Sequence, residues 1–230
     1  MKSSNTTKNI FPVLKRILLY ALLIFFTFSL TSCKRDIDYF TYVSELRSNI
    51  LLARVEKFSL RIYAAKKEQP YAADGIPRET VSRTEFYLTA PTGEHTCNLS
   101  FTYGNVEYTA EMSYDNVKGE YYYYCPLNLT EATVVLCRIE YGDDNFTLEA
   151  KTVKTPDVLS PKMILSHIQK SETELFNSMT DKYGFTGEIR LRLIYEDAPY
   201  YYVGIIDRNG NATAFLLNAE TGKILAKRQT

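Results

Sequence analysis

The sequence predicts a mainly β protein with a small α+β unit at its end. A β-sandwich-like domain is expected over residues 39–154, then a helix with an antiparallel meander over residues 155–230. Three observations carry this. Short runs rich in Tyr, Thr and Val recur about every 8–14 residues, each closed by turn chemistry. Apolar and polar residues alternate within them, most cleanly from Val106 to Met112. A sustained amphipathic helical period follows the Thr155-Pro156 boundary, and after it the strand-like runs resume.

The first 32 residues carry Lys2, Lys8, Lys15 and Arg16 and no acid, and Ile17 to Leu30 is almost unbroken apolar sequence. A basic flank, a short apolar core and small residues at the exit make the layout of a secretory signal peptide. The run is shorter than the roughly 20 residues that span a bilayer comfortably. Leu30-Thr31-Ser32-Cys33 resembles the lipobox of bacterial lipoproteins. That resemblance implies cleavage between Ser32 and Cys33 and diacylglycerol on the Cys33 thiol. Residues 1–32 would then be signal peptide and residues 33–38 a lipidated tether, with the body at the extracytoplasmic face of the membrane. Acyl chains contribute about 0.8 kcal/mol per buried methylene, so two or three hold firmly. The alternative is an uncleaved N-terminal anchor, which leaves the body on the same side.

Between Tyr39 and Phe58 the pattern supports two structures. Tyr39, Val43, Leu46 and Ile50 recur at helical spacing, while Ile50 to Ala53 and Phe58 to Tyr63 read as strands joined through Arg54 to Lys57. A short helical lead-in followed by strands is expected. Gln69 to Glu79, with Pro70, Asp74-Gly75 and Pro77, is a loop. Strands then follow at Thr84–Leu88, Thr96–Tyr103, Val106–Met112, Tyr121–Tyr124, Thr133–Ile139 and Phe146–Ala150. Alternation in the four-tyrosine run sends two rings inward and two to water. Ser160-Pro161 is a helix start, with Ser as N-cap and Pro in the first turn. Ile164, Ile168, Leu175 and Met179 share one face of that helix, which Gly184 and Gly187 should end. The meander is expected at Glu188–Tyr195, Tyr200–Ile206, Ala212–Leu217 and Lys223–Ala226, with Asn209-Gly210 as a hairpin turn.

Tyr201 to Asp207, Asn209-Gly210, Ala214 to Asn218 and Thr221 to Leu225 resemble the C-terminal hairpin of PepSY-type domains. The resemblance covers residues 160–228. It implies a small helix-and-sheet module of secreted or membrane-anchored bacterial proteins, some of which are proposed to inhibit proteases. It carries over no catalytic residue. The chain as a whole is similar to small lipoproteins of anaerobic Gram-positive bacteria.

The full chain balances 27 basic against 27 acidic residues, so removing the four leader cations leaves residues 33–230 with 23 against 27. A mildly acidic body argues against nucleic acid as a partner, and against a polybasic grip on lipid. Cys97, Cys125 and Cys137 have no zinc spacing. They are expected as buried small hydrophobes, or as one disulfide with a thiol left over. Two histidines, His95 and His167, cannot build a histidine-rich metal site, and neither sits in a triad signature. Asp143-Asp144 and Glu196-Asp197 are paired acids in turns, where local hydrogen bonding is the usual role. Asp207-x-Asn209-x-Asn211 starts like a calcium loop but has Asn218 where the closing glutamate would be.

No catalytic residue, metal site or cofactor is assigned. The expected function is a non-enzymatic protein- or peptide-binding lipoprotein of the cell envelope. The alternatives are a cell-wall-acting hydrolase and a lipoprotein that binds a small ligand.

Overall fold

A computed structural model describes residues 37–72 and 74–229. The expected signal peptide, the cleavage point after Ser32 and the lipid-bearing Cys33 lie outside the described residues. Asp38–Thr230 form one compact unit. Among the described residues no helix is long and apolar enough to cross a membrane.

The chain enters through a 3-10 turn, Tyr39–Tyr42, capped by the Asp38 carboxylate on Phe40 N–H. The helical spacing read from Tyr39 to Ile50 covers only this turn. From there β1 (Val43–Val55) runs for 13 residues and turns through Glu56 into β2 (Phe58–Glu68). β3 (Thr80–Thr89), β4 (Cys97–Tyr103), β5 (Val106–Glu111), β6 (Ser113–Asp115), β7 (Glu120–Cys125), β8 (Val134–Tyr141) and β9 (Asp144–Thr152) follow. Then come α1 (Pro161–Ser171), α2 (Thr173–Ser178), the short pair β10 (Thr180–Asp181) and β11 (Gly184–Phe185), and the meander β12 (Gly187–Tyr195), β13 (Pro199–Asp207), β14 (Ala212–Asn218) and β15 (Ile224–Gln229).

The architecture is mainly β, but the expected two-sheet sandwich is replaced by one sheet curled almost into a barrel. β1-β2-β3-β7-β6 forms one side and β1-β9-β8-β4-β5 the other. Two devices join the sides. β1 belongs to both, and β5 and β6 are the arms of one bent strand with Met112 at the corner. The Met112 N–H donates to Cys97 O at 2.8 Å, and its side chain is buried against the Cys97 thiol. A strand that changes partners at a corner turns two sheets into one. The interior is filled by side chains, among them Leu60, Ile62, Phe86, Leu99, Phe101, Cys137 and Leu148. Tyr121 points into this core and Tyr122 and Tyr124 stack on the outside, as the alternation requires.

The tail does contain a helix and a meander, with Ser160 Oγ capping α1, but it is not the separate PepSY-like module expected. β12 pairs in parallel with the first half of β1, Glu45 beside Arg190 and Arg47 beside Arg192, so one sheet runs through the expected boundary at 154/155. The reason is length: β1 outlasts β9, which reaches it only at Leu51 and Leu52. A backbone edge left open would be occupied by water or by another strand. The single expected helix is also broken, at Glu172. Ser171 Oγ donates to His167 O, and Thr173 Oγ1 to Gln169 O and Lys170 O, hydroxyls that compete with the helical ladder. Ile164, Leu165, Ile168 and Phe176 still pack inward, on the sheet face that bears Leu191 and Val203.

The partner change in β1 is held by one buried side chain. A bulge lies between Arg47 and Asn49, and bulges increase twist, which turns β1 from β12 toward β9. Asn49, fully buried, donates to Leu129 O at 3.0 Å and Ala132 O at 2.8 Å, and accepts from Thr152 Oγ1 at 2.6 Å. Asn49→Ala removes three hydrogen bonds and leaves the Ala132 carbonyl without another partner among the described residues, while Leu129 O keeps Ala132 N–H and Thr152 Oγ1 keeps Lys154 N–H. It should destabilise the fold by about 2–4 kcal/mol, read as a lowered urea midpoint.

Candidate functional site

The residues singled out in the sequence are spread over the barrel and the tail, except that His95 lies beside the Gly142 turn before Asp143-Asp144 and the three cysteines share the barrel core. His95 and His167 are exposed, the first edge-on to Tyr141 and the second seated over Gly222, where a Cβ would overlap its ring. Asp143-Asp144 and Glu196-Asp197 lie exposed at hairpin turns, and Asp197 accepts from Tyr200 OH at 2.9 Å. The Asp207 carboxylate accepts from the Asn209 and Asn211 N–H groups, which makes a hairpin turn of the calcium-like segment. Cys97, Cys125 and Cys137 are free and buried, and burial pushes the Cys97 and Cys137 thiols up to about 12. Thiols that hold their protons so firmly are packing groups rather than nucleophiles.

Register assembles a different constellation. The barrel interior and the helices cover the same side of the sheet. The opposite side runs unbroken over β14-β13-β12-β1-β2-β3-β7. Arg192, Arg47, Ala65 and Arg83 stand side by side across β12, β1, β2 and β3. Next to that row run Arg190, Glu45, Lys67 and Val81, in the same register. Tyr63, Glu85 and Tyr124 form a third row across β2, β3 and β7.

These side chains interlock. Arg192 pairs with Glu45, and Lys67 reaches both Glu45 at 3.6 Å and Glu85 at 2.8 Å. Arg83 lies 2.8 Å from Glu85, and Arg61 closes the lattice on Glu120. Guanidiniums sit over tyrosine rings: Arg47 over Tyr63 at 4.1 Å, Arg83 over Tyr124 at 3.9 Å, and Arg190 over Tyr71 at 4.5 Å. Such stacking fixes the guanidinium plane and leaves its edges free to donate. Burial pushes the Glu45 carboxyl up, but the Arg192 hydrogen bond and the charges of Arg192, Lys67 and Arg47 outweigh it and hold Glu45 below the usual carboxylate range. Among the described residues Arg47 forms no ion pair.

Residues 69–72 and 74–79 strap one end of this face. Gly75 packs so closely on the β13–β14 turn that a Cβ would come 2.6 Å from Asp207 O. Tyr71 OH donates to Glu188 Oε1 at 2.7 Å. Glu188 is wholly enclosed, with Arg190 Nε 3.5 Å away, and among the described residues no hydrogen bond is made to its second oxygen. Burial, then the charges of Glu68 and Asp74, push its carboxyl up to about 7. Two carboxyls in unlike environments are what a hydrolase needs. Here, however, the strap shuts the raised one away from any polymer.

One cleft of about 390 Å³ opens where β1 leaves β12 for β9, lined by Phe40, Leu46, Ser48, Thr130, Lys154 and Tyr201 among others. Ser48 Oγ and Thr130 Oγ1 lie 2.9 Å apart, and Lys154 Nζ donates to Thr130 O at 3.1 Å.

The lattice was missed in the sequence, although its signal was present. Charges two apart in strands, as in Glu45-x-Arg47, Arg83-x-Glu85 and Arg190-x-Arg192, share a face. Comparison of the chain with family models, curated proteins and solved structures found no match.

Two outcomes are expected. With native residues 34–230 a thiol reagent should label no cysteine, and in urea all three: Cys97, Cys125 and Cys137. Glu188 binds its proton more tightly folded than unfolded, so its contribution to stability is full below about pH 4.5 and falls as pH rises to about 7. Glu188→Gln should remove that slope and, at alkaline pH, exceed the wild type by on the order of 1 kcal/mol in thermal melts.

Proposed function

We propose that the chain is a lipid-anchored, extracytoplasmic binding module of the cell envelope. Acyl chains on Cys33 hold it to the membrane, and the Arg–Tyr face engages a protein or peptide. The face carries this reading. It joins oriented donors and aromatic rings, held by buried carboxylates, over a broad surface, which suits a polymeric partner rather than an enclosed small molecule. Tyr and Arg are the residue types that dominate binding energy at protein interfaces.

The cleft at the β1 fork favours a second function, binding of a small ligand. Its volume lies within the range of small-molecule sites, and Lys154 offers a cation beside two hydroxyls.

Both parts of the main reading have direct tests. Cys33→Ser should abolish incorporation of labelled palmitate and release the protein from the membrane fraction. An unlipidated wild type would overturn the anchor. A photo-crosslinking residue at Tyr122, on the face, should give discrete protein adducts in intact cells that the same residue at exposed Tyr183, in the β10–β11 turn, does not give. Identical patterns from both positions would overturn the face as the binding surface.

A further inference from the structure

The chemistry of the face also constrains its partner, given that it binds as proposed above. Apart from the Arg61–Glu120 pair, which cancels, five cations, Arg47, Lys67, Arg83, Arg190 and Arg192, stand among three carboxylates, Glu45, Glu85 and Glu188. The face is therefore positive by two charges, within a body where acids outnumber bases 27 to 23. We infer that the partner is an acidic stretch of polypeptide that lays its carboxylates on the Arg192–Arg47–Arg83 row.

Three features point to polypeptide rather than to another polyanion. The first is mixed sign. Glu45 and Glu85 lie between the cations, so a uniformly charged polymer, such as a phosphate chain, meets repulsion at each of them. A polypeptide can set an amide, a hydroxyl or a lysine there and a carboxylate beside it. The second is donor type. Four of the five cations are arginines, whose planar fork matches a carboxylate with two parallel hydrogen bonds, and three of these are stacked on tyrosine rings. Arg47 has no ion partner among the described residues; its Nε is buried, so its terminal nitrogens are the ones left to meet a partner. The third is spacing. Neighbouring strands lie about 4.8 Å apart, so the row from β12 to β3 is covered by about five extended residues. Ala65, small and in the middle of the row, is itself covered by its neighbours, so the row offers its arginines rather than a pocket.

The test uses residues 34–230, which keep the whole compact unit that begins at Asp38. Fluorescent short peptides of alternating Glu and Gly, Gln and Gly, and Lys and Gly are titrated by anisotropy, beside polyphosphate and phosphatidylglycerol vesicles as competitors. The Glu peptide should bind, weaken with added salt, and exceed the Gln peptide by about tenfold or more. Arg47→Gln breaks no ion pair but removes the Tyr63 stack and one favourable charge beside Glu45, so it should lower the melting temperature by a few degrees, keep the native circular dichroism, and weaken the Glu peptide about tenfold. Arg47→Gln with Arg83→Gln should weaken it further. Equal binding of the Glu and Gln peptides, both lost in the double variant, would overturn the acidic partner and leave the binding face standing. Polyphosphate or vesicles outcompeting the Glu peptide would hand the face to a polymer or a membrane and overturn the inference. No peptide bound at all would overturn it too and, joined to identical crosslinking patterns at Tyr122 and Tyr183, would remove the binding reading with it.

Discussion

The sharing of β1 among three strands is the constraint on which the rest depends. One backbone edge pairs with β2 along nearly the whole strand; the other is divided, its first half paired with β12 and its second half with β9. Each half must satisfy its N–H and C=O groups, because a buried unpaired group costs about as much as a lost hydrogen bond. The bulge before Asn49 supplies the change in direction, and Asn49 ties the fork to the segment after β7 and to the end of β9. The barrel and the meander are consequently parts of one sheet. Because the barrel interior and the helices cover the same side, the other side is left continuous from β14 to β7.

That continuous side is where the polar chemistry collects. Ion pairs at a protein surface contribute little to stability, and burying their charges carries a desolvation cost, so stability alone is a weak reason for such a lattice. Glu45 and Glu85 are each approached by two cations. Shared in this way, they keep the lattice in place without neutralising it. The tyrosines add orientation: a guanidinium held over a ring has lost much of its freedom, which would lower the entropy cost of the binding proposed for this face. Glu188 differs, since it is covered rather than offered, and its contribution is to the fit of the strap over β12.

Much of the chain was legible because local periodicity reports burial. The strands from Thr80 to Thr152 and from Gly187 to Gln229 lie close to where alternation and turn residues place them, and Ser160-Pro161 begins α1. The break at Glu172 was obscured because the apolar spacing continues through Phe176, while the hydroxyls of Ser171 and Thr173 decide the ladder. The candidate face was half legible. Alternation in β12 says that Arg190 and Arg192 share a side, but not that Glu45, Lys67 and Glu85 come to meet them from three other strands.

By itself the sequence determined the mainly β character, the turns, and the inward and outward faces of each strand. These are local properties, set by backbone sterics and by the hydrophobicity of neighbouring residues. Only the tertiary structure decided that sandwich and meander are one sheet, that Met112 is a corner, and that Arg192, Arg47 and Arg83 form a row. Pairing and register join residues far apart in the chain: Arg47 and Arg192 belong to strands that parallel pairing alone brings side by side. That choice follows from which backbone edges remain open once the core has closed, a quantity no stretch of sequence contains.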